Sequence, residues 1–203
     1  MPLIPNFHLY FRAFSIVFLT VFLAACSSVS TKDEPDTGEM VFETNGRLGI
    51  KHDDQSDQVQ VYWKHGSKGD WVRLEGPLGQ TVATLANTPS NTILVTSDKT
   101  WEAKDPESLT EEVLGWQLPL TGLRNWILGR PDDVSRSGAF QFSSIDGVST
   151  LEQAGWTIRY LSIDSANNLP KKINLSRESL QIRIVIDEWA TGPAFKAIPN
   201  QDK

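Results

Sequence analysis

Cysteine is almost missing from this sequence: Cys26 is the only one. That excludes an internal disulfide framework and a cysteine-based metal site. Histidine is nearly as scarce, with three in the chain. His52 in "KHDDQSD" and His65 in "WKHGSKG" lack the partner spacing of a zinc pattern such as HExxH, so both read as solvated surface histidines. The acidic group Asp53, Asp54 and Asp57 lacks the glycine and terminal glutamate of a calcium loop and reads as a polar hairpin tip. There is no GxSxG elbow and no glycine-rich phosphate cradle. The adjacent carboxylates Glu111 and Glu112, like Asp187 and Glu188, turn to different faces of their elements and form no acid/base dyad. No catalytic residue, metal or cofactor is expected, and an enzyme is the least favoured reading.

Basic charge is also short. Lys and Arg number 19 against 25 Asp and Glu, for a net charge of −6. A mildly acidic chain without a basic stripe is a poor nucleic-acid binder and has no polybasic grip on anionic lipid. Long apolar runs are missing with one exception, "FSIVFLTVFLAA" at residues 14–25. It is too short to span a bilayer but suits the core of a signal peptide. It leads into "LAAC", which looks like a bacterial lipobox, and the only cysteine stands where cleavage would fall. The expectation is that residues 1–25 are a signal peptide, and that Cys26 becomes lipidated as an S-diacylglycerol and N-acyl cysteine. Ser27, where aspartate would favour retention in the inner membrane, directs the protein to the outer membrane. Three acyl chains exceed the two signals that stable anchoring needs. Processing removes Arg12 and no acid, so the mature chain is one unit more acidic. Residues 26–40, with "SSVSTKDEPDTGE" after the cysteine, have little to bury and read as a flexible tether. Residues 41–190 are long enough for one domain with a real core, and residues 191–203 are expected to be disordered.

What the chain has in quantity is alternation. Phe42, Leu48 and Ile50 share one parity and Val59, Val61 and Trp63 another, as half-buried strands require. "DWVRLEG" and "QTVATLAN" flank a turn as a hairpin, and "NTILVTS" follows. Asp105, Pro106 and Glu107 then start a helix with an N-cap, a proline at the first position and an early acid. Its apolar face is Leu109, Val113 and Trp116. A second helical stretch, "TGLRNWILG", carries Leu123, Trp126 and Ile127 on one face and stops at Gly129 and Pro131. Strands resume with "GAFQFSS", "GVSTLEQ", "GWTIRYLSI", "PKKINLS" and "SLQIRIVIDEW". In the last, Leu180, Ile182, Ile184 and Ile186 share one face. The count of ten or eleven strands is too large for a flat open sheet. The expected fold is mainly β with inserted helices: a strongly curved antiparallel sheet or unclosed barrel, with short helices plugging its hydrophobic concave side.

Two features point to function. Seven tryptophans are generous for 203 residues, and while several must simply fill the core, a curved sheet lined by Trp, Leu and Ile also suits acyl chains. The turn in "RLEGPLGQTV" carries Leu78 where polar residues normally sit. If exposed, that leucine has about 1.5 to 3 kcal/mol to gain by entering an apolar phase.

The segments "NGRLGI", "GPLG" and "LPLTGLRNWILGRP", followed in order by "GWTIRY", "LPKKINL" and "IRIVIDEW", resemble the LolB family of outer-membrane lipoprotein receptors. The resemblance covers essentially the whole mature chain except the tail after Trp189. It implies an unclosed barrel whose cavity receives acyl chains of client lipoproteins from the periplasmic carrier LolA, without nucleotide, for insertion into the outer membrane. It also implies that Leu78, in the turn Gly76, Pro77, Leu78 and Gly79, enters outer-membrane phospholipid from the periplasmic side. The candidate cavity lining is Leu74, Leu118, Leu120, Leu123, Trp126, Ile127, Trp156, Ile158, Ile182 and Ile184. The implied partners are the LolA–lipoprotein complex, client acyl chains and phospholipid, with no nucleic acid, and the expected state is a monomer. A lipid or glycolipid carrier with a similar cavity and a structural envelope lipoprotein stay open as alternatives.

Overall fold

A computed structural model of the chain describes residues 34–196, and the folded unit begins at Pro35. The expected signal peptide and Cys26 lie outside the described residues.

Eleven strands form one antiparallel sheet. They are β1 (Met40–His52), β2 (Gln55–Gly66), β3 (Gly69–Glu75), β4 (Thr81–Asn87), β5 (Thr92–Val95), β6 (Thr100–Ala103), β7 (Phe140–Ile145), β8 (Val148–Gln153), β9 (Trp156–Ile163), β10 (Pro170–Arg177) and β11 (Leu180–Thr191). Spatial order runs β6-β5-β4-β3-β2-β1-β11-β10-β9-β8-β7, so the first and last strands of the domain, β1 and β11, pair at its centre. The edges β6 and β7 do not pair with each other, which leaves the barrel unclosed. Between those two edges the chain runs through α1 (Pro106–Leu114), α2 (Leu120–Trp126) and the single turn α3 (Val134–Ser137).

Parity decides which face is inside. In β11, Leu180, Ile182, Ile184 and Ile186 are buried while Gln181 and Arg183 are exposed. The same phase holds for Phe42, Leu48 and Ile50 on β1, across a register shift at Asn45 and Gly46. These inward residues form one core with Leu109, Trp116, Leu118, Leu120, Leu123, Trp126, Ile127 and Leu128 from the helical segment. The helices therefore fill the concave side. An open curved sheet cannot bury its inner face on itself, and the amphipathic insert supplies the second layer.

The α1 start follows its cap. Asp105 accepts from the backbone N–H groups of Glu107 and Ser108, Pro106 opens the first turn, and Gly115 closes the helix at φ 78°. Each of these satisfies or avoids an orphaned backbone group at a helix end.

Two expected boundaries need correction. The tether was expected to run to residue 40, yet Thr37 and Glu39 carbonyls accept from Lys68 N–H and Ser67 N–H, each at 2.9 Å. The exposed β2–β3 turn has free donors there, and the chain before β1 supplies acceptors. The tail was expected to be disordered from residue 191. Instead Gly192 N–H donates to Val41 O (3.0 Å), Ala194 N–H to Met40 O (3.2 Å), and Phe195 packs against the core. The alternation ends at Trp189, but β1 still offers a ladder edge that the tail continues.

Candidate functional site

The β3–β4 connection is a rigid turn. Gly79 N–H donates to Gly76 O and Gly76 N–H to Gln80 O, both at 2.9 Å. Pro77 presets the first corner, and Gly79 takes the left-handed conformation at φ 78° that other residues resist. Leu78 stands between them with 94% of its surface exposed, against 48% for Ile163 and 55% for Val134. Nothing folds back on it. The β1–β2, β3–β4 and β5–β6 turns all lie at the same end of the sheet, as the antiparallel order of these strands requires.

Behind this end lies an apolar interior with two voids. One is small and largely enclosed, about 20 Å³, enough for about one water. Its lining includes Leu48, Val61, Trp63, Val72, Leu118, Leu120, Leu123, Ile127, Ile184 and Ile186. The second is an open groove of about 550 Å³ at the rim with mixed walls, Pro77, Leu74, Val59, Trp101, Val113, Leu114 and Trp116 standing beside Asp57, Gln58, Gln80, Thr96, Ser97 and Asp98.

Of the ten residues expected from parity and helical spacing, Leu118, Leu120, Leu123, Ile127 and Ile184 line the small cavity. Leu74 lines the groove. Trp126 and Ile158 are buried in the core. Trp156 borders a different hollow beside β7 and β8, and Ile182 one along β10 and β11. All ten belong to one core, and because a curved sheet spreads its inward positions over more length than one cavity occupies, some reach that cavity's lining while others pack beside it.

Polar groups hold α2 against both walls. Asp70 on β3 is fully buried and receives Trp63 Nε1 (3.1 Å), Asn87 Nδ2 (3.2 Å) and His65 Nδ1 (2.8 Å). Arg124 of α2 adds an ion pair with it at 3.1 Å. Burial opposes ionisation of Asp70, but the His65 hydrogen bond, the Arg124 charge and Asn87 together hold its carboxyl below its ordinary range. An ionised carboxylate only accepts, so Nδ1 of His65 is a donor. Across the barrel, Trp126 Nε1 donates to Gln153 Oε1 (2.9 Å), and the Tyr160 hydroxyl donates to Trp126 O (3.0 Å). Burial pushes the Tyr160 phenol upward, so it stays protonated as that donor.

The reading of both histidines as solvated is therefore corrected for His65, whose side chain is largely covered. His52 remains half-exposed beside Asp53. Sequence reasoning missed the Asp70 cluster because its members lie on four elements. Among the described residues no group of three or more His, Cys, Asp or Glu could hold a metal ion. No helix among them is long and apolar enough to cross a membrane, which says nothing of strands.

The geometry thus combines an apolar interior stoppered by helices with an aliphatic side chain presented outward at its rim. Residues 40–189 match the family model described as outer membrane lipoprotein LolB. The chain is 32% identical over 183 residues to the outer-membrane lipoprotein LolB of Chromobacterium violaceum, covering 88% of this chain and 98% of that one. It is 38% identical over 149 residues to that of Thiobacillus denitrificans, covering 73% and 79%. Among solved structures, a LolA superfamily protein from Nitrosomonas europaea superposes with a TM-score of 0.48 at 11% identity, over 80% of this chain and 88% of that one.

Proposed function

The chain belongs to the LolB family of outer-membrane lipoproteins, and on that premise we propose that it receives acylated lipoproteins from the carrier LolA and passes them to the outer membrane. Cys26, as a lipidated cysteine, anchors it to the periplasm-facing leaflet, and it acts as a monomer.

The observation that carries this reading is Leu78, almost fully exposed on a turn closed by two hydrogen bonds. A folded protein gains nothing from a leucine held there. A bilayer touched by it gives back about 1.5 to 3 kcal/mol.

The filled interior supports a reversible hold on the client. Ligand pockets usually measure about 300 to 1,000 Å³, so the small cavity of about 20 Å³ admits no acyl chain until the helical segment yields. A chain that enters replaces Leu118, Leu120 and Leu123 against the sheet. One set of apolar contacts is exchanged for another, the net free energy is small, and no nucleotide is required. Leu78 then perturbs the leaflet beside the rim and eases release.

The test is transfer of an acylated lipoprotein from purified LolA to this protein and on to liposomes, comparing the native chain with Leu78→Glu. The expected result is that both accept cargo and only the native chain delivers it. If the folded native protein accepts no cargo, the receptor reading fails and a lipid-carrier or structural role replaces it.

A further inference from the structure

The outer face of the sheet carries a hollow of about 420 Å³ across β1, β11, β10 and β9. Its lining includes Lys51, Arg159 and Arg183 and no carboxylate, in a chain whose net charge is −6. The three cations are far apart in the sequence, so no basic stripe shows there, and the ladder collects them. Gly49 pairs with Arg183, Arg183 with Asn174, and Asn174 with Arg159. Their neighbours Ile50, Ile182, Leu175 and Ile158 are buried, which turns this row outward, and Lys51 shares the face of Gly49.

The charges of this hollow are left unanswered. Among the described residues no hydrogen bond or ion pair reaches the side chain of Lys51, Arg159 or Arg183. Asp187, the outward acid of β11, is taken up by Arg47 at 2.8 Å. Arg159 Nε is covered and unbonded, as is Asn174 Oδ1 on the neighbouring strand. Gly49 keeps the middle open, because a Cβ there would meet nothing nearer than Arg183 Cβ at 3.9 Å. Like charges around an open hollow attract an anion. Arg183 and Arg159 are two strands apart, about 10 Å at the backbone, a span their side chains close over one phosphate, whose oxygens suit the planar guanidinium fork.

The position of the hollow selects the phosphate. Lys51 leads into the β1–β2 turn and pairs with Gln181, which pairs with Ser176, so the hollow lies at the end of the sheet where Leu78 stands. Glu75 is opposite Gln60, and Gln60 opposite Arg47. Leu78, three positions beyond Glu75, is therefore level along the ladder with Ile50, between Gly49 and Lys51. A leucine that enters a leaflet at this level brings the hollow to the headgroup layer.

We infer that Arg159, Arg183 and Lys51 bind the phosphodiester headgroup of an anionic phospholipid. The inference rests on the reading of the Leu78 end as membrane-facing. An acidic chain is repelled by an anionic surface as a whole, so a preference for such a surface requires a local site of this kind.

The test uses the mature chain with Cys26→Ala, which takes no acyl anchor, and vesicles of phosphatidylcholine with or without phosphatidylglycerol. Tighter binding to the phosphatidylglycerol vesicles is expected. Each basic residue near an anionic surface is worth about a fivefold change in affinity, so Arg159→Gln with Arg183→Gln should weaken that binding about 25-fold. Gly49→Glu, which keeps both arginines and places a carboxylate between them, should also abolish the preference. Lys68→Gln with Lys104→Gln removes as much charge at the other end of the sheet and should leave it unchanged. Inorganic phosphate at matched ionic strength should not displace the vesicles; displacement assigns the site to a soluble phosphate and overturns the lipid proposal. Equal native binding to both vesicles overturns it and leaves the Leu78 reading intact, whereas binding to neither overturns both. Native-like vesicle binding by folded Arg159→Gln, Arg183→Gln protein that is slow to accept cargo from LolA makes an acidic protein face the occupant, and the lipid proposal falls.

Discussion

Replacing Arg124 by methionine isolates the tie between α2 and the β3 wall. The substitution keeps most of the apolar stem and removes the charge, leaving Asp70 fully buried with three of its four donors. Breaking a buried ion pair from one side typically costs about 3 to 5 kcal/mol. Here Arg124 is itself 23% exposed and Asp70 keeps its other three hydrogen-bond donors, so the expected loss is about 2 to 3 kcal/mol. That is a large share of the roughly 5 to 15 kcal/mol a domain of this kind has in total. The assay is urea unfolding, read as a lower midpoint at unchanged slope. The mutations Arg124→Met and Asp70→Asn act on one contact, so the double variant is expected to lose at least about 1 kcal/mol less than the sum of the singles. A midpoint within experimental error of native for Arg124→Met, or strict additivity in the cycle, refutes the claim that this pair fastens α2.

Acid should unfasten the same contact: the Asp70 carboxyl is held below its ordinary value, so its stabilisation is complete above about pH 4 and is lost as pH falls through the depressed value. Thermal unfolding of the native chain should drop across that window, and Asp70→Asn should flatten the drop. Glu107 has the opposite sign, because burial raises its carboxyl; stability is lost as pH rises through that raised value. Glu107→Gln is expected to match or exceed native stability at pH 7 and to converge with it at pH 4, by thermal melts at both. Gly122→Ala places a methyl 2.3 Å from the Trp126 ring, so it should destabilise by about 1 to 3 kcal/mol in spite of alanine's better helix propensity, and a gain in Tm would sink that account. Leu120→Ala should cost about 2 to 5 kcal/mol yet bind an alkyl probe more tightly than the native chain, as fluorescence titration would reveal. Leu78→Glu should leave Tm unchanged, since the side chain touches almost nothing.

Much of the fold was legible because period-two patterning survives in the long strands. Ile182, Ile184 and Ile186 announce an inward face, and Asp105 with Pro106 announces a helix start. Two short elements were not located. The strand β6 is four residues, Thr100–Ala103, too few for a pattern to repeat. The helix α3 is a single turn whose signal lay in its cap, Asp133 accepting from Ser135 N–H, with Gly138 after it. The aliphatic turn was legible from composition alone: glycine and proline define the tip, and a leucine there is out of place. The Asp70 cluster was not, because Arg124 lies 54 positions from Asp70 and only the topology returns α2 to the β3 wall.

On the function proposed above, a receiver in a relay without an energy source faces opposing demands. A wide, empty apolar cavity would hold a client's acyl chains tightly, at about 0.8 kcal/mol per buried methylene, and would not surrender them to a bilayer. A cavity permanently filled would never accept them. An interior stoppered by its own helical segment sits between these limits, because each methylene gained by the guest displaces part of Leu118, Leu120 or Leu123. Affinity is then set by the difference between two similar apolar fillings, which can be adjusted by the ties on the stopper without altering the sheet. In this chain those ties are unequal. The buried Asp70–Arg124 pair and the Trp126–Gln153 bond fix α2 to the sheet, while α1 is bonded to the α2 segment, through Thr110 to Leu118 N–H and through Glu107 to Thr121 N–H.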